Sequence, residues 1–134
     1  RLSANRRANA LAEQTATQVG LGDMLEAPVA SLSYGARRQL EVGLALIGQP
    51  TVLLLDEPAA GMSADETSRM MALIDNLHGD LAVLIVEHDM DLVFAHADRI
   101  TVLAQGAVLF EGTPEEVRSS ALVQETYLGE ATPC

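Results

Sequence analysis

The chain has 134 residues, 49% of them apolar, enough for one domain that buries about two-thirds of its unfolded surface, which excludes a disordered tail. Nineteen acidic against eight basic residues leave a formal charge of −11, a field that repels phosphate backbones and excludes nucleic acid as the expected partner. All eight cations are arginine, so chemistry that needs an ammonium is absent, including the lysine of a phosphate-binding P-loop.

The one cysteine, Cys134, stands at the end. It allows no internal disulfide or cysteine metal cluster, and makes a reducing compartment the default. The longest apolar runs, 51–55 and 81–86, fall far short of the roughly 18 to 20 residues that span a bilayer. The chain opens on Arg1, inside a helical pattern, which reads as a piece of something longer.

In chain order, Ala8, Leu11, Ala12, Thr15 and Val19 predict an amphipathic helix over 1–19, stopped by Gly20. A connector with Gly22 and Pro28 leads to Ser33, after which Leu40, Leu44 and Ile47 mark the buried stripe of a second helix. The run 51–55, bounded by Pro50 and Asp56, predicts a strand covered on both faces of a parallel sheet. Ser63 with Glu66 is a capping box, opening a helix on Thr67, Met70, Met71, Ile74 and Leu77 up to Gly79, with His78 in its last turn. A second apolar strand, 81–86, ends in Glu87-His88-Asp89; a short helix over 90–97 then leads to a strand at 100–104. Gln105-Gly106 predicts a hairpin back through 108–110, and Thr113-Pro114-Glu115-Glu116 supplies the cap, first-turn proline and capping glutamate of a terminal helix. The alternation is that of an α/β domain with a parallel sheet, whose ligands bind beyond the carboxyl ends of the strands. The polar clusters 56–57 and 87–89 are expected to project into one crevice there.

Asp56 and Glu57 are adjacent, so at an extended strand end they point apart and take separate jobs. One carboxylate that holds Mg²⁺ and another that orients a water is the division phosphoryl transfer to water requires; a wet strand end would show the same pair. Ser33 and Gly35 offer a hydroxyl cap and exposed amides at a helix start, a cradle for phosphate, and Arg37 and Arg38 sit where the helix dipole disfavours cations. An ordinary N-cap with solvated arginines is the plainer reading. His88 suits donation to a phosphate oxygen or a turn hydrogen bond; His78 and His96 read as structural, and Met70 and Met71 as core filler.

Together, LSYGARRQL at 32–40, VLLLDEP at 52–58, the segment 60–63 and Glu87-His88-Asp89 resemble, in order and spacing, the second half of an ABC transporter ATPase, over about residues 15–129. Finer features, DEPAAGM, EHDMDLV, EGTPEEV and YLGE, resemble the branched-chain amino acid importer subfamily, with urea-type relatives close behind. The resemblance implies a partial P-loop NTPase fold, parallel strands flanked by helices, without the P-loop half. It also implies three parts: a helical subdomain portion at 1–48, an α/β core portion at 49–113 and a helical tail at 114–134.

By the same resemblance, Leu32, Ser33, Tyr34, Gly35 and Ala36 form the signature loop that meets ATP across a dimer. Asp56 serves Mg²⁺, Glu57 positions the attacking water, and His88 holds the γ-phosphate. Ala60, Gly61, Met62 and Ser63 form the D-loop. The implied partners are a second ABC ATPase subunit in a head-to-tail homo- or heterodimer, transmembrane permease subunits and, indirectly, a substrate-binding protein, at the inner face of the plasma membrane. Tyr34 and Ala36 depart from the commonest glycine and glutamine, and Ser63 from aspartate. The family's P-loop strand would lie between the strands at 81–86 and 100–104. These 134 residues alone are expected to bind no ATP and hydrolyse none. Two rivals are a phospho-receiver domain, which needs a lysine that is absent, and a non-catalytic acidic docking domain.

Overall fold

A computed structural model of the chain describes residues 6–77 and 81–128. The readings placed on residues 1–5, His78, Gly79, Gly129 and Cys134 lie outside them. The chain divides into two compact units, Arg1–Val86 and Glu87–Cys134.

In the first unit, α1 (Arg6–Gln18) packs on α2 (Tyr34–Leu46) through small side chains. Thr15 and Val19 are buried, and a Cβ added to Gly43 would lie 3.1 Å from Val19 Cγ2. This close approach corrects the expected apolar stripe of α2. The helix turns its Ala36, Val42 and Gly43 face inward, and Leu44 is left 63% exposed because a bulkier residue at the contact would hold the helices apart. Two 3₁₀ turns, Gly22–Met24 and Val29–Ser31, fill the connector. α3 (Ala64–Asp75) packs on α2 and buries Met70, Met71 and Ile74, as their spacing predicts. Each such side chain contributes about 1.5–3 kcal/mol by leaving water.

β1 (Val52–Asp56) and β2 (Ala82–Val86) pair in parallel, with Leu54 opposite Leu84 and Asp56 opposite Val86. The expectation of two covered faces fails. Leu53 is buried, whereas Val52, Leu54, Leu84 and Val86 are all exposed, Leu54 at 70% and Leu84 at 59%. Successive strand side chains point to opposite faces, so these four share one apolar face that the described residues leave open.

In the second unit, Asp89 caps α4 (Met90–His96), its carboxylate accepting from the Asp91 and Leu92 amides. This helix includes His96, as the helix predicted over 90–97 does. β3 (Ile100–Ala104) does not extend the parallel sheet as expected. It pairs antiparallel with β4 (Ala107–Gly112) in a separate two-stranded sheet, with an irregularity between Val102 and Leu103. Gln105 and Gly106 both have positive φ, 50° and 79°, the turn whose twist suits a hairpin. Thr113 and Glu116 form the predicted capping box of α5 (Pro114–Ser119). The helical turns Ala121–Val123 and Gln124–Leu128 follow. Ile100, Val102, Val117 and Val123 form this unit's core, with Phe94 and Phe110 packed against it. The Tyr127 hydroxyl donates to the Leu103 carbonyl, and Arg118 stacks over Phe94 at 4.5 Å.

Candidate functional site

The carboxyl end of β1 is shaped by one unusual backbone conformation. Glu57 follows Asp56 with φ +44°, a left-handed conformation that non-glycine residues rarely adopt. Its N–H still donates to the Val86 carbonyl at 2.9 Å, so the ladder continues for one bond while the chain turns away. Asp56 is exposed and Glu57 half-buried. Pro58 and Ala59, both buried, lead into 60–63, and Ala60 N–H donates to the Glu57 carbonyl at 3.1 Å.

The start of α2 lies against this loop. Ser33 caps the helix, its hydroxyl accepting from Ala36 N–H at 3.2 Å. Tyr34 Oη donates to the Ala60 carbonyl at 3.1 Å, and the ring lies 3.6 Å from the point a Gly61 Cβ would occupy. Arg38, one turn on, donates to Tyr34 Oη at 3.3 Å, stands over the ring at 5.6 Å and pairs with Glu41 at 2.8 Å. The two cations therefore differ: Arg37 is exposed, and Arg38 is tied to Tyr34 and Glu41.

The amides of this helix start are less open than the sequence reading expects. Gly35 and Ala36 are buried. Ala36 N–H is taken by Ser33, and the carboxylate of Glu66 lies against Gly35. The same carboxylate accepts from Ser63 N–H at 3.0 Å and from Ser63 Oγ at 2.8 Å. Bonds from the Ser63 amide and hydroxyl, with the Gly35 backbone and the Arg69 charge nearby, hold Glu66 below the usual glutamate range. A Cβ on Gly35 would fall 2.7 Å from Glu66 Oε1, so any larger residue there must push that carboxylate aside. A cleft of about 220 Å³ opens here, lined by Ser33, Gly35, Met62, Glu66 and Arg69.

The first unit thus brings 33–36 and 60–63 together and joins that loop to Asp56 and Glu57. His88 belongs to the second unit, exposed, its N–H donating to the Glu87 carboxylate at 3.3 Å. Glu66 was readable as half of a capping box, but no local spacing announces its contact with Gly35. Tyr34 was legible only as a departure. Mg²⁺ takes one or two carboxylates and otherwise prefers water and phosphate oxygens. A single exposed carboxylate at a strand end, Asp56, fits that demand.

Residues 2–60 match the ABC transporter family model, and residues 107–132 match that of the branched-chain amino acid ATP-binding cassette transporter. Over 116 residues the chain is 43% identical to the high-affinity branched-chain amino acid transport ATP-binding protein LivG of Salmonella typhimurium and 42% identical to BraF of Pseudomonas aeruginosa. Each match covers 85% of this chain and 46% of the relative, so the chain spans about half the length of the curated relatives it matches. Among solved structures, MJ1267, an ATP-binding cassette of an ABC transporter in its ADP conformation, superposes with a TM-score of 0.82 at 24% identity, over 96% of this chain and 53% of that one. cbiO1 of Clostridium perfringens, part of the ABC transporter complex cbiONQ, gives 0.77 at 26% identity, over 91% and 51%. The chain is similar to the ATP-binding proteins of ABC transporters and has the α/β fold of part of that ATPase domain. Among these it resembles the ATPases of branched-chain amino acid importers.

Proposed function

We propose that this chain is the signature and Walker B portion of the ATP-hydrolysing subunit of an importer for branched-chain amino acids. The observation that carries the reading is the Tyr34–Ala60 bond. It joins the start of α2 to the loop that leaves Asp56 and Glu57, so that a helix N-terminus and a pair of carboxylates belong to one unit. Helix N-termini and fixed donors stabilise charge on a transferring phosphoryl group, which is the main catalytic need of phosphoryl transfer.

In this reading two subunits meet head to tail, as a homo- or heterodimer. Ser33 and Gly35 of one subunit face the terminal phosphate of a nucleotide held by the other, and Leu32, Tyr34 and Ala36 shape that loop. Asp56 would hold Mg²⁺, which when bound would offset phosphate charge. Glu57 positions the attacking water, His88 donates to the γ-phosphate, and residues 60–63 line the subunit junction. Permease subunits would receive the motion, and a substrate-binding protein would act through them. Among the described residues no helix is long and apolar enough to cross a membrane, consistent with a subunit that docks at the inner face. The organisation into 1–48, 49–113 and 114–134 belongs to the same proposal.

The test joins this chain to a P-loop half and measures turnover. Glu57→Gln and His88→Ala should each abolish hydrolysis while ATP binding persists; unchanged rates would make the chain an acidic docking module. The 134 residues alone, which contain no lysine, should show negligible ATP affinity by calorimetry, and saturable micromolar binding would contradict this.

A further inference from the structure

One carboxylate serves two elements far apart in sequence. Glu66 closes the capping box of α3 by accepting from the Ser63 amide and hydroxyl, and its other carboxylate oxygen lies against Gly35 at the start of α2. Tyr34 ties the other end of the same short loop, at Ala60. Residues 60–63 are thus held at both ends to residues 34 and 35. The fit is tight, since the space beside Gly35 is filled by Glu66 Oε1.

We propose, resting on the ATPase reading above, that Glu66 is a positioning residue that makes the signature turn and the D-loop move as one piece. An anion near a helix N-terminus is favoured by the dipole. A carboxylate that accepts twice from Ser63 with one oxygen while the other packs against Gly35 fixes the relative placement of two loops more tightly than separate caps would. Glu66 acts through Gly35 and Ser63, the residues that in this reading approach the phosphate and the neighbouring subunit.

The geometry is tested on the 134-residue chain by a double-mutant cycle read as the urea unfolding midpoint. Gly35→Ala should lower the midpoint in the native background and have no cost in Glu66→Ala, where the new methyl has room and alanine is the better helix former. Equal cost in both backgrounds overturns the proposal. Should Gly35→Ala fail to fold, amide exchange answers instead: Gly35 and Ser63 N–H should both exchange faster in Glu66→Ala, and an unchanged Gly35 overturns it. The role is tested in the P-loop-joined cassette. Glu66→Ala should lower kcat about tenfold or more with KM for ATP within about twofold, and Glu66→Gln, which keeps an acceptor oxygen, should restore most of the rate. A wild-type kcat in Glu66→Ala overturns the positioning role. A wild-type rate in Glu57→Gln would instead overturn the ATPase reading and leave the exchange result standing.

Discussion

Tyr34 donates its hydroxyl to the backbone carbonyl of Ala60 across 3.1 Å, and Arg38 donates to that same hydroxyl. The pair joins a helix start to a loop from the end of a strand. A tyrosine where the family's commonest signature has glycine is therefore a structural tie. Tyr34→Phe keeps the ring beside Gly61 and removes only the hydroxyl. It should cost about 1 kcal/mol, read as a lower urea midpoint at unchanged slope.

Glu57 sits at φ +44°, and the left-handed region costs a side-chain-bearing residue about 1–2 kcal/mol. Glu57→Gly should therefore leave the chain as stable as before or slightly more so. Glu57→Val places a β-branched side chain there and should destabilise it by about 1–3 kcal/mol. Thermal unfolding of the two variants separates this backbone demand from the proposed handling of water, which both would abolish.

Glu66 has its pKa lowered, chiefly by the Ser63 amide. A carboxylate whose folded pKa lies below its unfolded one binds fewer protons in the native state, so its stabilisation is complete above the ordinary glutamate range. It is lost as pH falls through the depressed folded value. Stability measured from neutral pH downward should fall across that window, and Glu66→Gln should flatten this part of the profile.

Leu54 and Leu84 face each other on the open side of the parallel pair, at 70% and 59% exposure. Replacing both with threonine removes little buried area and keeps a strand-favouring side chain. The double variant should change unfolding free energy by no more than about 0.5 kcal/mol and reduce self-association in sedimentation velocity.

What the sequence disclosed follows the range of the forces involved. The caps at Ser33, Ser63 and Thr113 were legible because each is settled within three residues, and the Gln105-Gly106 turn for the same reason. Burial was legible only where period and packing agreed, as at Met70, Met71 and Ile74. In α2 the contact with Thr15 and Val19 selected Gly43 instead of Leu44, a choice made by the neighbouring helix. An apolar run such as 51–55 reads alike with one face covered or two, whereas the pairing of β3 with β4 is the hairpin that Gln105-Gly106 predicts. At the site, Asp56, Glu57 and Ser33 announced themselves by residue type and position. Glu66 did so only as a cap, since its tie to Gly35 depends on how α3 meets α2.

The stretch that matches the branched-chain subfamily model, 107–132, contributes Val117 and Val123, both 0% exposed, to the core built on Ile100 and Val102. Subfamily character at this end is thus written partly in the interior of the second unit. Transplanting the segment onto another cassette would demand the recipient's own β-ribbon be recut to receive two valines, or the graft would arrive without a seat.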